Sequence, residues 1–399
     1  MKAWALYLSL AACSQETALL PLQQPIVIPA STVESWMLSV APEAPDLDWW
    51  RVSETVVALS GDSTTAVLGI NVEAVLHQAS PRFAVVAALD SQWRLVKARA
   101  FSIDTVIRSV TRNDTGVTVV AQIGNAYKVA HGAPFPIRIT RLDLELNEIW
   151  SFQYHPDDSA DVLSTASASD AVYVLRRGWG SYSVERIDAK GLKWLADIKA
   201  LSGWKGAVCL RGSGFLVAAE IDAGTVGLID FGQNGALLKR LDATTKCRPR
   251  SCLCMNDTCI FLGYGESLET WKLCSLSTEG QTIWYQPDII PNSAAGFGGA
   301  VLVGDRTGGL FPNSTVLASI DVAGNLRWSK TFLQPLFSRN VGLVGGRVVV
   351  PGDAIFVLDG FGNPGPSRCG RFGSCVDDRP ETLDDCEPTT GHCVHTVVK

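Results

Sequence analysis

The stretch ASIDVAGNLRW, residues 318–328, contains the pattern that decides the fold. Strand-like residues lead to Asp321, a Gly-Asn turn follows, and a second strand then carries Trp328. Near-copies of this phrase are LDLELNEIW at 142–150, IDAKGLKW at 187–194 and LSTEGQTIW at 276–284. Each copy is typical of a β-hairpin, because Asp accepts hydrogen bonds from turn N–H groups and Gly or Asn adopts positive φ. The repetition indicates an array of similar units.

The spacing of the copies predicts the architecture. An apolar residue followed by Asp or Ser recurs at Leu89-Asp90, Leu142-Asp143, Ile187-Asp188, Ile229-Asp230, Leu276-Ser277, Ile320-Asp321 and Leu358-Asp359. The successive intervals are 53, 45, 42, 47, 44 and 38 residues, each long enough for four antiparallel strands. Such periods are typical of propellers. We therefore expect an all-β β-propeller of four-stranded blades, with seven blades as the first choice and eight or six as alternatives.

Tryptophan on the outgoing strand of each hairpin is expected to wedge between neighbouring blades, since its large flat ring buries much apolar surface. The residues concerned are Trp150, Trp194, Trp284 and Trp328. Two units deviate, because Trp93 is out of step and Leu237-Leu238 stands where Trp is expected.

With its Asp, turn and Trp, the repeat resembles the quinoprotein-like β-propeller repeats over roughly residues 50–365. The resemblance implies a ring of blades within a propeller domain that we place at 46–365. The last copy lacks an outgoing strand. An N-terminal strand would complete that blade and remove an exposed edge, and either 46–53 or 25–31 is a candidate.

The N-terminus has the pattern of a secretory signal, predicted to span 1–12. Lys2 is followed by a short apolar run that ends Leu-Ala-Ala before Cys13. This ending resembles the lipobox of bacterial lipoproteins, which implies that Cys13 is acylated. Ser14 after the cysteine implies, by the same resemblance, the outer membrane. Residues 13–45 are predicted to be the lipidated cysteine and a flexible Pro-, Gln- and Ser-rich tether.

Cysteine usage favours an oxidising compartment. Assigning Cys13 to the lipid leaves ten of the eleven cysteines, and eight of these form two clusters. The eight are Cys247, Cys252, Cys254, Cys259, Cys369, Cys375, Cys386 and Cys393. We favour disulfides over a zinc site, because the first cluster has neither a CxxC pair nor a nearby His. A turn at Asn256-Asp257 would place Cys254 opposite Cys259, within disulfide range.

The tail at 366–399 differs from the repeats, because it has four cysteines, little apolar content and many turn formers. So small a segment requires crosslinks. It resembles the short Cys-rich repeats of large bacterial surface proteins. Its pairing stays open, and its acidic residues are interpreted as a solvated face rather than as a calcium site.

The charge pattern argues against a nucleic-acid surface, because 34 Lys and Arg face 40 Asp and Glu, for a net charge of −6. The basic runs at 246–250 and 176–177 are interpreted as solvated loops. The hairpin tip RRGWGSYS is the candidate binding surface, with Arg176, Arg177, Trp179 and Tyr182. No metal, cofactor or catalytic residue set is expected.

These features favour a non-catalytic, monomeric lipoprotein of the bacterial envelope, held by lipid in the outer membrane and binding a protein or glycan partner. One alternative, implied by the repeat, is a quinone-dependent dehydrogenase, which a bound-cofactor spectrum and dye reduction with added calcium and quinone would reveal. Another is a surface adhesin or sensor that uses the Cys-rich tail, which deletion of 366–399 would test.

The lipid anchor can be tested by replacing the thiol of Cys13. Because acylation requires the Cys13 thiol, we expect Cys13→Ser to leave the chain unacylated and released from membranes. Fractionation of cells and mass spectrometry of the N-terminal peptide measure both effects. Membrane retention of the variant at the level of the unsubstituted chain would refute the assignment.

Overall fold

The structure is a computed structural model that describes the following residues: 26–29, 32, 35–36, 39–40, 56–61, 65–73, 82–102, 104–124, 135–155, 161–168, 170–178, 181–198, 206–222, 225–244, 248–255, 258–264, 271–277, 282–285, 289–296, 300–306, 315–320, 326–332, 341–344, 347–351, 354–358, 382–386 and 393–397. The signal, Cys13, Trp179, Cys247, Cys369 and Cys375 lie outside these ranges. Within them, no helix is long and apolar enough to cross a bilayer.

The described strands form seven four-stranded antiparallel sheets and one two-stranded sheet. The first three sheets contain β2 (Val56–Gly61), β3 (Thr65–Glu73), β4 (Arg82–Asp90) and β5 (Leu95–Ala100); β6 (Thr105–Asn113), β7 (Gly116–Ile123), β8 (Ile137–Leu142) and β9 (Glu148–Tyr154); and β10 (Asp161–Ser167), β11 (Ala171–Gly178), β12 (Ser181–Asp188) and β13 (Gly191–Ile198).

The next three sheets have the same order. They contain β14 (Gly206–Arg211), β15 (Gly214–Asp222), β16 (Thr225–Phe231) and β17 (Leu237–Thr244); β18 (Arg248–Met255), β19 (Thr258–Tyr264), β20 (Trp271–Ser277) and β21 (Thr282–Tyr285); and β22 (Ile289–Gly296), β23 (Ala300–Arg306), β24 (Thr315–Ile320) and β25 (Leu326–Phe332).

The seventh sheet joins the two ends of the array. It contains β26 (Gly342–Val344), β27 (Arg347–Pro351), β28 (Ala354–Leu358) and, in the fourth position, β1 (Ile26–Pro29). The first strands of neighbouring sheets contact one another in the cycle β2, β6, β10, β14, β18, β22, β26 and back to β2. The fold is therefore a β-propeller whose first strands surround the axis. In the tail, β29 (Thr382–Cys386) pairs with β30 (Cys393–Val397).

The two ends of the ring differ in their connections. Because the strands of each sheet are antiparallel and consecutive, the first–second and third–fourth turns share one end, which we call the turn face. The second–third connections and the links between sheets share the other end, which we call the loop face.

Strand β1 lies in the segment for which the sequence predicts a flexible tether. It pairs with β28, so that the second of the two candidate closing segments, 25–31, completes the last sheet. Trp36 is buried in the cluster between the seventh and first sheets, beside Val349 and Val357. The propeller therefore begins before the predicted boundary at residue 46, because an apolar strand and a Trp are more stable packed than solvated.

The core lies between the sheets. Along β11, Val172 and Val174 pack against the second sheet, whereas Tyr173 and Leu175 pack against the fourth. This follows from the alternation of side chains in a strand, which sends successive residues to opposite faces. A sheet that is apolar on both faces needs a neighbour on each side.

Bulges interrupt several first strands and are tied to neighbouring sheets. In β6 the register shifts between Ile107 and Ser109, and the Asn71 side chain of the first sheet accepts from Ile107 N and donates to Ile107 O. After the shift in β10, Ser164 Oγ bonds both Val208 N and Val208 O of the fourth sheet. Side chains thus satisfy backbone groups near the axis that would otherwise be unpaired.

The predicted turn chemistry is present on the turn face. Asp90 Oδ1 accepts from the backbone N–H groups of Gln92 and Arg94, and Asp143 Oδ1 accepts from those of Glu145 and Asn147. The pKa of Asp90 is lowered, chiefly by the Arg94 backbone N–H, and that of Asp143 chiefly by the Asn147 side chain. The carboxylates hold the turns as charged acceptors.

Two details of the repeat differ from the sequence prediction. In the fourth sheet Gly232, not Asp230, begins the turn, since Gly232 N donates to Ala236 O. Trp194 pairs with Arg186, two residues before the turn of the third sheet, and Lys239 pairs with Asp230, two residues before the turn of the fourth. Lys239, rather than Leu237 or Leu238, is therefore the residue equivalent to Trp194. Turn length varies between sheets, and counting along the sequence misaligns the copies by one or two residues.

In the first, second and fourth sheets, one large side chain fills the space between a turn on the turn face and the preceding sheet. Trp93 and Leu146 supply it from the turn itself, with φ of 63° and 61°, and both are buried. In the fourth sheet the turn has Gly235 at φ 80°, and Trp194 of the third sheet fills the space instead. Trp194 and Trp150 are half-buried against clusters shared by adjacent sheets, which confirms their predicted wedging role.

Gly235 and Gly212 form a matched pair that tests this packing. Both have positive φ, but a Cβ at Gly235 would lie 3.0 Å from Trp194 Cδ2, whereas at Gly212 nothing lies within 4 Å. We expect Gly212→Ala to lower the free energy of unfolding by about 1 kcal/mol through backbone strain. Gly235→Ala should cost about 2–4 kcal/mol, because overpacking adds to that strain. Denaturant titration measures both, and equal losses would contradict the wedge.

Candidate functional site

Two of the four residues that the sequence singled out as a binding surface, Arg176 and Tyr182, are buried. Arg176 is 7% exposed and Tyr182 is 1% exposed, and Tyr182 belongs to the core between the third and fourth sheets. Arg177 lies in β11 opposite Tyr182. The prediction of an exposed grip at Arg176 and Tyr182 is therefore corrected, because the alternation of β11 and β12 directs these side chains between sheets.

Arg176 instead forms a buried polar group with Glu185 and Tyr154. Arg176 Nε and Nη2 each lie 2.7 Å from Glu185 Oε1, and Tyr154 Oη donates to Glu185 Oε2. Burial, followed by the charge of Glu185, raises the pKa of Tyr154 well above its usual value. The group joins the outgoing strand of the second sheet to the third sheet. Its charges neutralise each other, so its geometry supports a structural role.

The structure places two pairs of the predicted disulfide cysteines opposite each other on neighbouring strands. Cys254 pairs in register with Cys259, as the sequence predicts, and in the tail Cys386 pairs in register with Cys393. Sequence reasoning left Cys209 outside both clusters, yet Cys209 is disulfide-bonded and buried. Its strand β14 contacts β18, which contains Cys252 and Cys254. The contact between sheets could not be read from spacing along the chain.

Positive charge concentrates on the strands that surround the axis. The charged residues within the seven first strands are Arg108, Arg112, Asp161, Arg211, Arg248 and Arg250. Five arginines against one aspartate contrast with the net charge of −6 for the whole chain. The basic run at 246–250, interpreted from sequence as a loop, contributes Arg248 and Arg250 to β18. This correction places the backbone of both residues on a first strand.

Three of these arginines share the loop-face half of the ring. Arg108 and Arg250 are each the extra residue of a first-strand bulge, five residues before the strand ends, and Arg248 precedes Arg250 by two residues. Because first strands run from the loop face to the turn face, all three lie toward the loop face. We call Arg108, Arg248 and Arg250 the loop-face arginines.

Arg108 shows how such a side chain is positioned. It is exposed, and its Nε donates to Gln122 Oε1 at 2.5 Å. Gln122 is buried, and its Nε2 has no hydrogen-bond partner within the described residues. A buried amide therefore fixes the base of the guanidinium while the bulge exposes it near the axis.

The arginines nearer the turn face are used within the protein. Arg211 Nη1 lies 2.7 Å from Asp230 Oδ2. Arg141 of β8 is buried, donates to Thr118, Asn113 and Thr115, and has its pKa lowered by burial. These contacts tie third strands to first–second turns, so they stabilise the sheets. In the described part of the chain, no group of three or more His, Cys, Asp or Glu residues could hold a metal ion.

Comparison with known proteins shows similarity of fold without similarity of sequence. No family model and no curated protein matches the chain. The β-propeller domain of Myceliophteria thermophila Cps50 (Swd1) superposes with a TM-score of 0.51 at 8% identity, over 76% of this chain and 96% of that one. The Dos1 propeller gives a TM-score of 0.48 at 11% identity, over 82% and 99%. The similarity to the Cps50 (Swd1) domain supports the β-propeller fold. The quinoprotein-like and lipoprotein resemblances stay predictions.

The raised pKa of Tyr154 predicts that the free energy of unfolding decreases at alkaline pH. The unfolded chain releases this proton near pH 10.0, whereas the folded chain retains it. Its contribution is therefore complete below pH 10 and falls as the pH rises above that value, by at most about 1.4 kcal/mol per pH unit. The stability difference between the unsubstituted chain and Tyr154→Phe should be constant from about pH 8 to about pH 9 and smaller at about pH 11.

Urea titrations across this range measure the effect. Phe152→Leu is the matched control, because Phe152 stacks on Tyr154 at 5.8 Å and does not titrate. Its deficit should stay constant with pH. A Tyr154→Phe deficit that is equally constant would contradict the raised pKa.

Proposed function

We propose that this protein is a non-catalytic scaffold of the bacterial envelope, anchored in the outer membrane by lipid at Cys13, whose propeller binds an acidic protein or glycan. The loop-face arginines provide the binding charge. The protein acts as a monomer, without a cofactor, and holds its partner at the axis on the loop face.

The observation that carries this proposal is the placement of arginine on the first strands. A guanidinium binds carboxylate and sulfate groups through paired N–H donors. Several arginines on strands that surround one axis attract a polyanion more strongly than the same charges dispersed over a surface. An acidic chain overall would otherwise repel such a partner.

The Cys209 disulfide supports the export part of the proposal. Disulfides persist in the periplasm and at cell surfaces, and they are rare in a reducing cytosol. The opposed cysteines of β18–β19 and β29–β30 are compatible with further crosslinks. The predicted signal and lipobox lead to the same compartment.

Binding to an acidic glycan probe tests the scaffold. Retention on immobilised heparin at low salt should weaken about tenfold or more in Arg108→Gln/Arg250→Gln, because two charge-assisted hydrogen-bonding groups are removed. The matched control is Arg94→Gln/Lys97→Gln, which removes two exposed positive charges from the outer edge of the first sheet. The control should retain nearly full affinity. Equal weakening in both variants, or in neither, would overturn the assignment of the site.

A further inference from the structure

We propose that the turn face lies on a lipid bilayer, with a rim of aliphatic side chains inserted among the lipids. This inference rests on the proposed lipid anchor and adds a second, non-covalent contact with the membrane. Three features carry it: repeated bulges on the outer strands, the exposure of the bulged residues, and the end of the ring at which the N-terminal strand begins.

A bulge occurs at the same place in the fourth strand of five sheets. The register with the third strand shifts just after the turn, which leaves one residue of the fourth strand without a partner. The bulged residues are Val96, Ile149, Lys193, Leu238 and Arg327. Each stands on the outer edge of its sheet, next to the turn face. We call this set the rim.

The aliphatic members of the rim are exposed far more than is usual for such side chains. Val96 is 66% exposed, Ile149 is 56% exposed and Leu238 is 65% exposed. Leu144, Leu192 and Leu237, on or beside the same turns, are also exposed. Single exposed aliphatic residues need no explanation, but their recurrence at equivalent positions of one face indicates a contact surface.

The polar members of the rim suit a bilayer surface. Lys193 occupies the bulge position in the third sheet, and Lys97 and Lys239 follow the bulge in the first and fourth. Lysine and arginine beside aliphatic side chains are typical of protein surfaces that lie on anionic lipids, since the cations meet the phosphates while the apolar groups insert.

The direction of β1 brings the anchor to the same face. Ile26 pairs with Val357, near the end of β28 at the turn face, and Pro29 pairs with Ala354 toward the loop face. The chain therefore enters the ring at the turn face. Ile26 follows Cys13 by thirteen positions, so the tether reaches at most about 45 Å. A lipid at Cys13 would hold the turn face, rather than the loop-face arginines, toward the membrane.

A bilayer accounts for these features better than a second copy of the chain. Bulges and lysines at a sheet edge disfavour pairing of that edge with another strand. Equivalent positions arranged around one end of a propeller can all contact a flat partner, such as a bilayer, at the same time. The tether already confines that end to the membrane, so each inserted side chain adds affinity at high effective concentration.

Vesicle binding of the unacylated chain tests the rim without the anchor. Cys13→Ser protein should co-sediment with phosphatidylglycerol-containing vesicles, and adding Val96→Ser/Ile149→Ser/Leu238→Ser should lower its partition coefficient about tenfold or more. Leu210→Ser is the control for the loss of one exposed leucine near the turn face, because Leu210 lies on a first strand beside the axis rather than on the rim. The control should bind as the Cys13→Ser chain does.

Several results would overturn the proposal. They are absence of vesicle binding by the Cys13→Ser chain, equal binding by the triple variant, or a rim-dependent dimer that ignores vesicles. Thermal unfolding checks that the triple variant is folded, since exposed substitutions change stability by about 0.5 kcal/mol or less. Failure of the rim proposal would not bear on the lipid anchor or on the heparin site, because the vesicle and unfolding measurements use an unacylated chain and no heparin.

Discussion

The structure depends on sheets that are apolar on both faces. Successive residues of β11 pack against different neighbouring sheets, and successive residues of β15 belong to two different buried clusters, so neither face of the third or fourth sheet can be left to water. A layer with two buried faces needs two partners, and a closed cycle provides them for every sheet without leaving a terminal one exposed. Strand β1 completes that cycle by filling the outer position of the last sheet. The hairpins, turns and wedges serve this arrangement.

Burial between sheets also decides which charges remain available. Arg176 lies within a sheet interface, where Glu185 and Tyr154 satisfy it, and its charge is neutralised there. Arg108 lies on a bulge of a first strand, where its Nε donates to Gln122 and its side chain is exposed. Two arginines of similar sequence context thus have different chemistry, because one points between sheets and the other toward the axis.

Bulges are used in opposite ways at the two edges of a sheet. At the first strand they sit near the axis, where Asn71 bonds the backbone of Ile107 beside the shift in β6 and Ser164, just after the shift in β10, bonds the backbone of Val208 in the next sheet. At the fourth strand they face solvent and expose Val96, Ile149 and Leu238. A bulge changes the direction of one side chain while the remaining ladder is preserved. The ring can therefore carry a polar centre and an apolar rim on one repeated scaffold.

The sequence by itself determined the hairpin repeat, the β-propeller fold, the carboxylate-held turns of Asp90 and Asp143, and the register that opposes Cys254 to Cys259. It also included 25–31 among the two segments that could complete the last sheet. These features depend on alternation and turn chemistry within a few residues. Only the tertiary structure decided that Tyr182 is buried, that Cys209 is crosslinked and that Trp194 fills the space at Gly235. Each of these depends on a neighbouring sheet, whose side chains come from distant parts of the chain and leave no local pattern.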